Sequence, residues 1–465
     1  MRDLPRALLA SAATAAVLFA VLFVVALWAA QRQEIARGHL AEALASGILN
    51  QRTALGPLDN YPAPNLVYDC IIFNMIGTTG NDLVVSAMSN RWIGVDSPVN
   101  DPRAPPNPFC QDLLRAFPEL EADGWERVQP KQYDNYILGM RVVGRLLLSF
   151  MPADAVGRLL LGTGYGLLGI IGVVALYRLG RSNRGSTPRA RAAGYVAAAG
   201  CFGAFYGFSF FGPTLNFGVL DCTHFAFILI SLFAPLAAMR PVGLAVFASA
   251  YGSLVAMFEF LTGGIPLALA ILPLLLGLGF QENRRTYIAK LTVLWGSFCL
   301  AVVLSFALKK QFAVLFLGDT ASFLAQLVTR MQGDFDSLPG SKSDGANQLD
   351  IFIYQITLYR ISVRNIGWGS PRFGAALVIA ALSTILIVTS RNIRTLWTFD
   401  RPMRPASLLS LAALLAWAAV FLQHTVLHPF SQVRLLVVPI LAASALVVTE
   451  ILLRGARDRQ LEAPP

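Results

Sequence analysis

Residues 7–30 read ALLASAATAAVLFAVLFVVALWAA, a run without one charged side chain. As an α-helix rising about 1.5 Å per residue, such a run is long enough to cross the roughly 30 Å hydrocarbon core of a bilayer. Runs of similar character recur at about 155–179, 194–211, 217–239, 242–260, 264–280, 289–308, 373–389, 405–422 and 435–453. Lipid offers no partner to a backbone N–H or C=O, so spanning segments of this kind close their hydrogen bonds internally as helices. The expected fold class is an all-α polytopic membrane protein with about ten transmembrane helices and a large first extracytoplasmic loop. The small residues of VALWAA would suit a signal-peptidase site, but the apolar core outruns the roughly 7–15 residues of a secretory signal. The run is read as a first span with its N-terminus inside.

Composition agrees. Of 465 residues, 55% are hydrophobic and 14% charged, with a mean hydropathy of +0.58, a combination that excludes an ordinary soluble domain. The net charge of +10 comes from arginines in short segments such as RLGRSNRGSTPRARA (178–192), QENRR (281–285) and SRNIRTLWTFDRPMR (390–404). These fall on one side of the membrane if the spans are counted as above, which is the positive-inside pattern rather than a nucleic-acid surface. The expected organisation is a first span (1–30), a polar loop with a following interfacial helix (31–154), spans two to seven (155–308), a second extracytoplasmic region (309–372), and spans eight to ten with a cytoplasmic tail (373–465).

The first loop is the longest polar interval and the natural place for chemistry. It carries Asp69 and Cys70 in NLVYDCIIFNMIG (65–77), Cys110 in NPFCQDLL (107–114), and Tyr133, Asp134 and Tyr136 in KQYDNYILGMR (131–141). Amphipathic helices are expected at about 40–51 and 111–120, with the proline-rich DSPVNDPRAPPNPF (96–109) between them. In ILGMRVVGRLLLSFM (137–151), Arg141 and Arg145 stand one helical turn apart in apolar surroundings, the pattern of a helix lying in the membrane interface. Five cysteines make no CxxC pair. Cys201, Cys222 and Cys299 sit in apolar runs as small buried residues, and a disulfide between Cys70 and Cys110 is expected in an oxidising compartment.

Ionisable residues at membrane depth are expensive and tend to be functional. Here they gather at the extracytoplasmic ends of the expected spans: Asp221 and His224, Glu259 in MFEFLTGG (257–264), Lys309 with Lys310, and His424, His428 and Arg434 in QHTVLHPFSQVR (423–434). Each has a plainer reading. Asp221 and His224 suit a hydrogen-bonded pair at a helix end. Glu259 beside glycines suits helix termination, and the lysines suit snorkelling to the headgroups. A cation at that level equally suits a lipid-linked phosphate. His424 and His428 share a helical face and could ligate a metal, although Pro429 interrupts a regular helix and hydrogen bonding to substrate is preferred. Asp69 is the candidate general base, an acid flanked by apolar residues and therefore partly desolvated; the alternative is an N-cap of the following helix. Aromatic neighbours make Asp134 a sugar-stacking candidate. There is no Walker loop, GxSxG elbow, HExxH motif or internal duplication.

The layout resembles the GT-C superfamily of multi-spanning glycosyltransferases, which take sugars from polyprenyl-phosphate donors. The shared features are a cytoplasmic N-terminus, a large first extracytoplasmic loop with an essential acid, and an interfacial helix before the second span. QYDNYILGMRVVGRLLLSF (132–150), MFEFLTGG and QHTVLHPFSQVR further resemble elements of bacterial membrane proteins from surface-polysaccharide pathways. The resemblance implies an inverting transferase in a bacterial inner membrane, acting on a polyprenyl-phosphate-linked sugar and a glycan, lipid or protein acceptor. On it, Asp69 takes the base position, while Lys309, His424, His428 and Arg434 face the donor phosphate. Tyr133, Asp134, Tyr136, Arg141, Asp221, His224 and Glu259 complete the substrate site. No cofactor is required, and a divalent metal is compatible with the acids. The rival expectations are an O-antigen ligase or polymerase, for which the basic residues of 309–372 speak, and a transporter or lipid flippase, which would spread its charges through the membrane depth.

Overall fold

The computed structural model describes residues 4–46, 64–78, 82–92, 131–132, 137, 139–183, 187–259, 263–280, 282–318, 371–390, 403–421 and 432–462. These form α1 (Leu4–Gln31), α2 (Gln33–Ala45), α3 (Pro64–Gly77), α4 (Leu83–Met88), α5 (Gly139–Leu148), α6 (Ala153–Arg181), α7 (Thr187–Phe205), α8 (Phe208–Phe211) and α9 (Leu215–Phe233). They continue with α10 (Pro241–Phe258), α11 (Gly264–Gly277), α12 (Arg284–Leu317), α13 (Pro371–Ser390), α14 (Met403–Val420) and α15 (Val437–Glu462), the last led by a 3₁₀ turn at Val433–Leu436. A two-residue antiparallel pairing of β1 (Arg91–Trp92) with β2 (Lys131–Gln132) ties the two ends of a long loop together.

The chain is an all-α polytopic membrane protein. Among the described residues, eight helices are long and apolar enough to cross a membrane. Two of the ten expected spans fall short of that standard for separate reasons. The run at 194–211 is broken at Gly207, whose φ of 76° ends one helix and starts another, a left-handed step that hydropathy does not register. The helix before the break, α7, starts at Thr187 and carries Arg189 and Arg191. The run at 264–280 becomes α11, whose 14 residues extend only about 21 Å. It is buried on almost every side and packs against α14, so its uniform apolarity reflects a protein interior.

Small residues set the closest approaches. A Cβ on Gly252 of α10 would lie 2.5 Å from the Phe298 carbonyl of α12, and one on Gly164 of α6 would lie 2.0 Å from the Phe208 ring. Helix α1 packs on α10 and α12, and α5 is wedged among α1, α2, α3 and α9. That wedge turns the expected interfacial helix's arginines inward. Gly139, Met140, Arg141, Val142, Gly144, Arg145 and Leu148 are all buried, so both arginines turn into the protein and not toward headgroups. A Cβ on Gly144 would meet Leu215 of α9 at 2.9 Å and Ile76 of α3 at 3.0 Å, which fixes three elements around one glycine.

Candidate functional site

Three groups of buried polar residues meet around the start of α9. The first is Asp69. It lies inside α3, against the first turn of α9, and is 5% exposed. The Leu215 N–H donates to its Oδ2 and the Asn216 N–H to its Oδ1, each at 3.1 Å. The Thr214 hydroxyl accepts from the Phe217 N–H at 3.3 Å. The first three amides of α9 therefore all end on side-chain oxygens, and the positive end of its dipole meets a carboxyl. Asp69 is thus a cap in trans, for a helix 146 residues away, and not the N-cap of a helix that follows it. Burial pushes its pKa up, the amides of Asn216 and Leu215 pull it back, and the balance is about 7.

The second group surrounds the C-terminal end of α4. Arg141 donates through Nη1 to the Ser86 carbonyl at 3.1 Å and through Nη2 to that of Ala87 at 2.5 Å. Arg145 Nη1 reaches the same Ser86 carbonyl at 2.9 Å, and Lys309 Nζ of α12 reaches the Met88 carbonyl at 2.5 Å. Three cations from two elements thus converge on consecutive carbonyls, the negative end of a short helix. Arg37 of α2 lies close by, donating through Nε to Gly77 O at 3.1 Å and paired through Nη1 with Glu34 at 2.6 Å. Burial pushes the Arg37 pKa down, against the pull of Glu34.

The third group links α9 to the turn before α15. Arg434 Nη1 donates to Asp221 Oδ1 at 2.6 Å, and the Tyr206 hydroxyl donates to the same oxygen at 2.6 Å. The guanidinium stands 4.4 Å from the Phe217 ring centroid, 5.0 Å from that of Phe211 and 5.3 Å from that of Tyr206. Glu259, the C-cap residue of α10, accepts from the Gly263 N–H at 3.0 Å and lies within electrostatic reach of Arg434. A Cβ on Gly264 would fall 2.1 Å from Glu259 Oε2, so glycine at that position is required for the carboxylate to sit where it does. The expected Asp221–His224 pair does not form. His224 Nδ1 instead meets the Tyr251 hydroxyl of α10 at 2.6 Å, while Arg434 and Tyr206 both hold Asp221 through Oδ1.

The groups touch one another. Leu215, which donates to Asp69, packs on Gly144 beside Arg145, and Phe217, two residues on, lies under Arg434. The structure thus brings Asp69, Arg141, Asp221, Glu259, Lys309 and Arg434 into one connected region, with His224 beside them on Tyr251. Tyr133, Asp134, Tyr136, Cys110, His424 and His428 lie outside the described residues, as does the Cys70 side chain, so the expected disulfide falls there too. Arg145, Tyr206, Tyr251 and Arg37 belong to the site and were not singled out as site residues from the sequence. Only Arg145 left a trace there, in its one-turn spacing from Arg141. Among the described residues no group of three or more His, Cys, Asp or Glu is placed to hold a metal ion. No protein-family model, no curated protein and no solved structure matches the chain.

Proposed function

We propose that the chain is a glycosyltransferase that moves a sugar from a polyprenyl-phosphate donor to a glycan, lipid or protein acceptor at the extracytoplasmic face of a bacterial inner membrane. Asp69 is its general base. The observation that supports this most is Asp69 itself, a carboxyl removed from solvent, fixed by two amides and balanced near pH 7, one packing layer from a shelf of buried cations. A base works best with a pKa close to the ambient pH and a fixed position. Each Asp69 oxygen accepts one amide and keeps a further lone pair for an acceptor hydroxyl.

In this reaction Asp69 takes the acceptor proton as the hydroxyl oxygen bonds to the sugar C1. The C1–O bond to phosphate breaks on the opposite face, and polyprenyl phosphate departs with the electron pair, inverting C1. Phosphate is a good leaving group, so positioning and charge stabilisation by residues such as Arg141 and Lys309 supply most of the rate.

The two amide bonds also favour a second reading, in which Asp69 only locks α3 to α9. Glycan output from membranes carrying Asp69→Asn, beside Asp134→Asn and wild type at matched protein level, separates the two. Loss of product with accumulation of polyprenyl-phosphate sugar, in the Asp69 variant alone, is the expected result. Wild-type output from a stably folded Asp69→Asn would leave only the cap.

A further inference from the structure

Arg145 is 1% exposed, yet among the described residues it forms no ion pair. Its hydrogen bonds go through Nη1, to the Ser86 carbonyl at 2.9 Å and at the long limit of 3.5 Å to the Ser86 hydroxyl. Nε and Nη2 are buried and have no partner among the described residues. These two atoms share one edge of the guanidinium, the side-on fork that grips a carboxylate or phosphate with two parallel N–H···O bonds. The same chain shows that edge in use: Arg404 holds Glu450 through Nε–Oε1 at 2.8 Å and Nη2–Oε2 at 3.2 Å. After burial, the charges that act most on Arg145 are those of Arg141 and Arg37, both positive, and all three influences push its pKa well down. A guanidinium desolvated among like charges is costly until an anion joins it. On the same short segment as its Ser86 acceptor, the Ser89 hydroxyl is a second buried polar atom without a partner among the described residues.

We propose that Arg145 is the recognition fork of an oxyanion site in the layer formed by α4, α5 and the end of α12, binding a phosphate group through Nε and Nη2. Phosphate is favoured over a carboxylate because Arg141 and Lys309 stand on the neighbouring carbonyls, so that the local charge suits a group able to carry more than one negative charge. The assignment rests on the transferase reading only in identifying this phosphate with the departing group of the donor; the fork itself is independent of the reaction.

The test is thermal unfolding of the full chain in phosphatidylcholine nanodiscs, titrated with inorganic phosphate against a chloride control of equal ionic strength. A second series replaces part of the lipid with phosphatidate. A saturable rise in Tm is expected in at least one series, since a ligand bound only by the folded state raises its stability. Stabilisation by phosphatidate alone marks a lipid headgroup as the source, and stabilisation by both marks a site open to free phosphate. Arg145→Met should abolish the rise. Arg145→Lys, which keeps the charge and loses the fork, should weaken binding by about tenfold or more. A wild type that neither source stabilises overturns the site, as does a folded Arg145→Met with an unchanged rise. The wild-type titration decides even if a variant fails to fold. Because turnover is not read, an active enzyme without phosphate stabilisation would remove this site alone. Phosphate stabilisation with an Asp69→Asn protein of normal output would remove the transferase assignment of Asp69 alone.

Discussion

Asp221 and Arg434, 213 residues apart in sequence, meet at 2.6 Å with both side chains out of solvent. Three aromatic rings stand around the guanidinium, Asp221 is hydrogen-bonded to it, and Glu259 lies within electrostatic reach. Removing one member of such a pair strands the other, at a typical cost of about 3–5 kcal/mol. Asp221→Asn should therefore unfold at markedly lower denaturant concentration than wild type. The double variant Asp221→Asn with Arg434→Met should recover much of that loss. Tyr206→Phe, which removes one hydroxyl donor from the same oxygen, should cost about 1–2 kcal/mol. A double variant no better than either single one would mean that the pair organises more than its own charges.

The Asp69 carboxyl ties stability and activity to pH in opposite senses. Its pKa is raised from 3.8 to about 7, so the folded state binds the proton more tightly than the unfolded chain. The stabilisation is complete below about pH 4 and is lost as pH rises through about 7. About three units at 1.36 kcal/mol each make the change on the order of 4 kcal/mol. Unfolding measured between about pH 4.5 and pH 8 should show this slope in wild type and a flatter one in Asp69→Asn. Transfer by a base of this pKa should rise over the same interval, with an apparent midpoint near pH 7. Activity flat across that interval would remove Asp69 from the reaction.

The sequence exposes the spans because apolar length is a one-dimensional property, and it exposes Asp221, Glu259, Lys309 and Arg434 because a charge inside an apolar run stands out. Their partners are hidden. Arg434 and Asp221 pair over a distance no local pattern encodes, and His224 finds Tyr251, which reads as one more aromatic in an apolar helix. Arg145 misleads for a different reason. An apolar helix with arginines one turn apart looks the same whether they face headgroups or backbone carbonyls, and the acceptors on α4 are main-chain atoms that no residue type announces. The break at Gly207 and the shortness of α11 are likewise backbone events within uninterrupted hydropathy.

Gly164 tests how tightly α6 is seated. Its missing Cβ would fall 2.0 Å from the Phe208 ring, which is itself held edge-on by Tyr165 at 5.1 Å and Phe225 at 5.2 Å between centroids. The ring has little room to yield, so Gly164→Ala should cost about 1–3 kcal/mol, the usual range for overpacking. Gly162→Ala on the same helix meets nothing within 4 Å and should show no loss. Comparing the two thermal midpoints separates packing from any general effect of alanine in α6. Equal midpoints would mean that α8 shifts freely on α6.

Two buried arginines should respond to neutralisation with opposite signs. Arg404 is gripped side-on by Glu450, at 2.8 and 3.2 Å, so Arg404→Met takes both bonds from a buried carboxylate and should cost about 3–5 kcal/mol. Arg145 has no carboxylate among the described residues, and the Ser86 carbonyl that it meets also accepts from Arg141 at 3.1 Å. Arg145→Met therefore removes an uncompensated charge and leaves that carbonyl hydrogen-bonded. With phosphate excluded, its stability should equal wild type or exceed it, by up to about 4 kcal/mol for replacement of buried charge by packed apolar volume. Urea or thermal unfolding of both variants in phosphate-free detergent makes the comparison. A large loss in Arg145→Met under those conditions would show that its single carbonyl bond is structural and outweighs the desolvation of its charge.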